Sequence, residues 1–181
     1  MMELAGAART CLFGEDRMTA QIGEVLLING EQVTMCTEPL GHYFELGGKA
    51  PAFDDWSCTA LWRGYVGTWE IVDSRLYLVD LTGTLADGSQ ATLATIFPDH
   101  PKRVFAHWFT GTLRIPEGKI LSYVHMGYGS SYERDHLIHV TDGVVTSEEI
   151  QDNGVSSRES GSEGYSVMAM TIFGSDRDTE C

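Results

Sequence analysis

The chain has 181 residues, the length of one domain with a short surplus, and its 43% hydrophobic content is enough to build a real core. Acidic residues outnumber Lys and Arg by 26 to 12, a formal net charge of −14. That balance excludes phosphate-driven binding of DNA or RNA, which takes clustered Lys and Arg, and it argues equally against an anionic membrane surface. No stretch approaches the ~18 apolar residues of a membrane span. The opening residues carry no basic region ahead of an apolar run, so no signal peptide is read and a cytoplasmic protein is expected.

Residues 1–21 read as an N-terminal extension, with a helix expected over Ala5–Met18. A β domain is expected over residues 22–151. Its first hairpin is the clearest local signal in the chain: Glu24–Ile28, then Asn29-Gly30, then Gln32–Met35. Asn-Gly tolerates the positive φ angles of a type I′ turn. A short helix is allowed near Ala50–Thr59. Tyr65–Val72 and Arg75–Leu81 form a second hairpin around Asp73-Ser74, and Thr82–Ala86 extends it to Asp87-Gly88. Gln90–Phe97 reads as the returning strand, broken by Pro98 and Pro101.

Val104–Ile115 is a long β-type run closed by Pro116-Glu117-Gly118, and Lys119–Met126 follows as another strand. The tract Gly127-Tyr128-Gly129-Ser130-Ser131 punctuates the chain before a strand at Arg134–Thr141. Asp142-Gly143 then turns it into Val144–Ser147. Turn signals every ~8–12 residues indicate a mainly β fold, with antiparallel sheets forming a sandwich or a partly open barrel and few short helices. Residues 152–181 form an acidic, Ser/Gly-rich segment, of which Tyr165–Phe173 is apolar enough to return as a last strand.

Cys11, Cys36, Cys58 and Cys181 contain no CxxC pair, so neither a zinc ribbon nor a thioredoxin-type site is expected, and free thiols are. His107, His125, His136 and His139 lack the short-spaced pairing of a metal site. On a strand, His136 and His139 face opposite sides. No metal and no cofactor are expected.

If residues 65–72 form a strand, Tyr65, Gly67, Trp69 and Ile71 share one face and Val66, Thr68, Glu70 and Val72 the other. Glu70 then sits among apolar and β-branched neighbours, where burial raises a carboxyl pKa unless a cation answers it. Arg63 is the candidate cation. A structural ion pair at a strand end is the stronger reading of the two residues, and a ligand-anchoring carboxylate the weaker. In the tract Tyr123–Glu133, Gly127 and Gly129 permit a sharp bend with Tyr128, Ser130, Ser131 and Tyr132 around it. Glycine at 129 rules out a GxSxG nucleophile elbow, and no GK[ST] follows to make a P-loop.

The tract WRGYVGTWEI, continued by LRIPEGKILSYVHMGYGSSYE, resembles a group of small bacterial proteins with no assigned activity. The likeness spans residues 62–145 and brings no catalytic residues with it.

These features favour a non-enzymatic acidic protein that occludes a basic protein partner, as a bacterial immunity protein occludes a toxin. Its contacts would include Arg63, Tyr128, Ser130, Tyr132 and Glu133. An exposed edge strand would also allow a homodimer. The alternative is a small-molecule-binding or hydrolytic β domain, with Trp62, Trp69 and Trp108 lining a pocket. Arg63, Glu70 and His125 would be its polar groups, Glu70 and His125 serving as catalytic residues.

Overall fold

The computed structural model describes residues 20–54 and 59–155. In chain order the elements are β1 (Glu24–Ile28), β2 (Glu31–Met35), α1 (Pro39–Glu45), β3 (Tyr65–Val72), β4 (Arg75–Thr84) and β5 (Gln90–Ala91). There follow α2 (Leu93–Ile96), β6 (Val104–Phe105), β7 (Gly111–Ser122), β8 (Ser131–Thr141) and β9 (Val144–Asp152). The fold is mainly β with two short helices among the described residues, as the turn spacing predicts. Neither helix is long and apolar enough to cross a membrane.

All strands join one sheet in the order β2-β1-β3-β4-β9-β8-β7, with β5 and β6 also pairing to β4. Every pairing is antiparallel except β1 with β3, so the sheet is mixed. It does not close into a barrel, although its end strands approach: the Cys36 N–H after β2 donates to the Arg114 carbonyl of β7 at 2.8 Å.

Three hairpins turn on two residues of positive φ, the type I′ signature: Asn29 (52°) and Gly30 (83°), Asp73 (50°) and Ser74 (57°), Asp142 (48°) and Gly143 (77°). Period-two burial then sets the core. Tyr65, Gly67 and Trp69 of β3 point inward with Leu26 of β1. On β4 the inward set is Leu76, Leu78 and Leu81, a step of two followed by a step of three. A register shift accounts for this, since Trp69 faces Leu78 while Thr68 faces Asp80, leaving Val79 as the extra residue. The Asp80 carboxylate accepts the Leu81 N–H at 2.8 Å beside the irregularity.

Helix α1 covers one end of the core. His42 packs on Phe109, Tyr43 on Phe97 and Trp108, and Phe44 on Phe53 and Tyr65. The Trp108 indole N–H anchors the helix start by donating to the Pro39 carbonyl at 2.9 Å.

Four sequence expectations need correction. Gln90–Phe97 is a two-residue strand followed by α2, because Thr92 and Thr95 form a reciprocal capping box that starts a helix. Val104–Ile115 is interrupted at 106–110, where the Phe109 N–H bonds back to Ala106. Strand β7 runs straight through Pro116 instead of stopping there. Among the described residues β8 is the only strand that pairs with it, so no second ladder needs the missing N–H, and a register shift near Gly118 (φ 79°) absorbs the disruption. Residues 50–54 are not helical, and Phe53 bridges Leu85. The expected helix over Ala5–Met18, the strand at Tyr165–Phe173 and the three remaining cysteines lie outside the described residues.

Candidate functional site

The least ordinary residue of the core is Glu24. Strand alternation puts it on the inward face of β1 with Leu26, and it is fully buried. One carboxylate oxygen, Oε2, accepts the Gly67 N–H and the Trp69 indole N–H, each at 2.8 Å. The other, Oε1, lies 2.8 Å from Arg63 Nε, whose side chain is only 8% exposed. That N–H is not aligned on the oxygen, and Arg63 Nη2 is buried with no hydrogen-bond partner. Burial pushes the Glu24 carboxyl up to about 7 against the opposing pull of Arg63, Trp69 and Gly67. Burial also works against the Arg63 charge, but Glu24, with Tyr128 and Glu38 behind it, outweighs burial and raises its pKa.

From this buried pair the network runs outward. Arg63 Nη1 donates to Glu38 Oε1 at 3.4 Å and to the Tyr128 hydroxyl at 3.0 Å. The single Tyr128 proton is shared between Glu38 Oε1 at 2.9 Å and the Ile22 carbonyl at 3.0 Å. Glu38 and Tyr128 then form part of the wall of a hollow of about 350 Å³, completed by Cys36, Thr37, His42 and Glu45. Desolvation drives the Cys36 thiol up to about 11, which disfavours the reactive thiolate.

A second arginine holds the glycine tract. Arg114 of β7 donates to both Asp135 oxygens, at 2.8 and 3.3 Å, and to the Tyr128 and Ser130 carbonyls at 2.9 and 3.0 Å. The Asn153 side-chain amide donates to Asp135 as well, at 2.8 Å. Residues 123–130 are thus clamped by Arg114 at the backbone and by Arg63 at the Tyr128 side chain.

Of the expected contact residues, Arg63 and Tyr128 meet directly through their 3.0 Å hydrogen bond. The others are used differently. Ser130 is buried, and its hydroxyl accepts the Val124 N–H at 3.1 Å. Glu133 accepts the Lys119 N–H at 3.0 Å. Tyr132 is half-buried, and its phenol is raised by that burial.

The trio Arg63, Glu70 and His125 is not gathered. Arg63 answers Glu24 and Glu38, and no hydrogen bond or ion pair links it to Glu70, which lies on the other face of β3 from Trp69. His125 stacks edge-on against Tyr123 at 4.6 Å. The tryptophans do not share a pocket either: Trp69 is fully buried, Trp62 is 46% exposed and Trp108 packs on α1. His136 and His139 face Glu148 and Glu149 at 3.1 and 3.4 Å, and no metal-holding cluster occurs among the described residues.

Glu24 was legible in the sequence but not taken up. Glu24, Leu26 and Ile28 alternate onto one face, which places a carboxylate in an apolar row. The carboxylate near Arg63 in sequence is Glu70 on β3, whereas its buried partner Glu24 lies on β1.

The last surface to note is β9. Every residue from Thr146 to Asp152 is exposed, so both faces of the strand meet solvent. Its inner edge pairs with β8, while β4 reaches it only at Val144 through Arg75. No family model, no curated protein and no solved structure matches this chain.

Proposed function

We propose that this is a non-enzymatic acidic binding protein whose β9 edge accepts a basic protein partner, in the manner of an immunity protein covering a toxin. The observation that carries the reading is the strand itself. Past Val144 it is unpaired on one edge among the described residues and presents Glu148, Glu149 and Asp152. A free row of backbone N–H and C=O groups supplies affinity by strand addition, and the carboxylates supply charge selection. Glu148 and Glu149 are 53% and 61% exposed, and Ile150 beside them, also 61% exposed, provides apolar contact area.

The same charges disfavour a second copy as the occupant. Two β9 strands paired antiparallel would bring Glu148 and Glu149 against their own images, and like charges placed opposite destabilise a sheet. A basic strand meets no such penalty.

The test is affinity purification from the source organism with the wild type and with E148K/E149K/D152K, at low and high salt. The reading expects one stoichiometric basic protein, weakened by salt and lost with the triple variant, whose substitutions are all on exposed positions. A stoichiometric partner that is acidic, or that binds the triple variant equally well, refutes it. So does the absence of any stoichiometric partner.

A further inference from the structure

We propose that the aromatic hollow between α1 and the α2–β6 segment is a binding site for a small planar aromatic carboxylate. The hollow encloses about 460 Å³ and is half open, a size suited to one ring system with its substituent. None of its lining residues belongs to β9 or to the Arg63 network, and it shares none with the hollow at Glu38.

One wall is a packed aromatic corner. Phe97 and Trp108 stack with ring centres 5.6 Å apart and planes 15° from parallel, and Tyr43 tilts against both at 5.0 Å. Tyr77, in ring contact with Phe105 at 5.6 Å, also lines the hollow. Such surfaces receive a flat ring by offset stacking or edge-to-face contact.

Charge supplies the second half of the argument. In a chain of net charge −14, no carboxylate among the described residues lines this hollow, whereas Arg103, His100 and His107 do. The Arg103 guanidinium lies over the Tyr77 ring at 4.6 Å. It has no ion pair or hydrogen bond among the described residues, unlike Arg63, Arg114 and Arg134, which all face carboxylates. The cation–π contact with Tyr77 uses none of the guanidinium N–H donors in a hydrogen bond. That fork matches the two oxygens of a carboxylate. His107, edge-on to Trp108 at 5.4 Å, lines the same hollow. A ligand ring therefore enters among Tyr43, Phe97 and Trp108 while its carboxylate turns toward Arg103.

The probe is 4-hydroxybenzoate, with 4-hydroxybenzamide as the uncharged match of its shape, followed by ligand-observed NMR on the full chain. The wild type is expected to bind the acid at least about tenfold more tightly than the amide, since a charge-assisted fork is stronger than a neutral contact. R103Q should remove that preference and leave amide binding unchanged. F97A should weaken both ligands together. Circular dichroism confirms folding, and Arg103 is exposed, so R103Q is not expected to unfold the protein. Equal affinity for acid and amide overturns the proposal, as does an acid preference that survives R103Q. Absence of binding by either probe at millimolar concentration overturns it too.

Discussion

Replacing Glu24 by glutamine tests the buried network directly. The substitution keeps the shape and the acceptor that serves Gly67 and Trp69, and it removes the carboxyl that titrates near neutrality. The folded carboxyl sits at about 7 against an ordinary 4.5, so the folded state holds a proton that the unfolded chain has already released. Stability from this group is therefore fully present below pH ~4.5 and is lost as pH rises through ~7. At about 1.36 kcal/mol per pH unit, the full loss is about 3 kcal/mol. Glutamine cannot ionise and shows no such loss. Urea unfolding of both proteins at pH 5, 6, 7 and 8 reads the difference, and the titrations common to both subtract out. The wild type should lose stability relative to E24Q by up to about 3 kcal/mol across that range, with most of the change below pH 7. A flat difference would refute the argument. A wild type that gains on E24Q as pH rises would show instead that Arg63 depresses the Glu24 carboxyl.

Two other outcomes follow from the same region. A Cβ at Gly67 would collide with Glu24 Oε2 and lie 2.8 Å from Trp69 Nε1, so G67A should cost about 2 kcal/mol or more by urea unfolding. A change within about half a kcal/mol would mean that β3 can shift freely past β1, contrary to tight packing. Cys36, raised from 9.0 to about 11, should hold about a hundredfold less thiolate at pH 8 than an unperturbed thiol. Its alkylation by iodoacetamide, followed site by site with peptide mass spectrometry, should be slower by a similar factor in the folded protein than in urea. Equal rates would contradict the burial of the thiol.

The mainly β class and the three hairpins follow from local sequence. Asn29-Gly30, Asp73-Ser74 and Asp142-Gly143 accept positive φ whatever surrounds them, and alternation places Tyr65, Gly67 and Trp69 on one face of β3. These signals act within a few residues, so one sequence displays them. The features that shape the candidate sites act between distant segments. The parallel pairing of β1 with β3 sets Leu26 beside Trp69 and so delivers Glu24 to Arg63, a partnership that reading along β3 assigned to Glu70. The extra residue at Val79 changes which side of β4 faces inward, and the packing of Leu76, Leu78 and Leu81 reveals it more directly than turn spacing does. Among the described residues, the open edge of β9 and the unshared guanidinium of Arg103 depend on which neighbours each segment meets, and strand order decides that. Local propensity operates through bonds along the chain. Ion pairing, burial and edge exposure depend on distances through space, and only the folded sheet sets those.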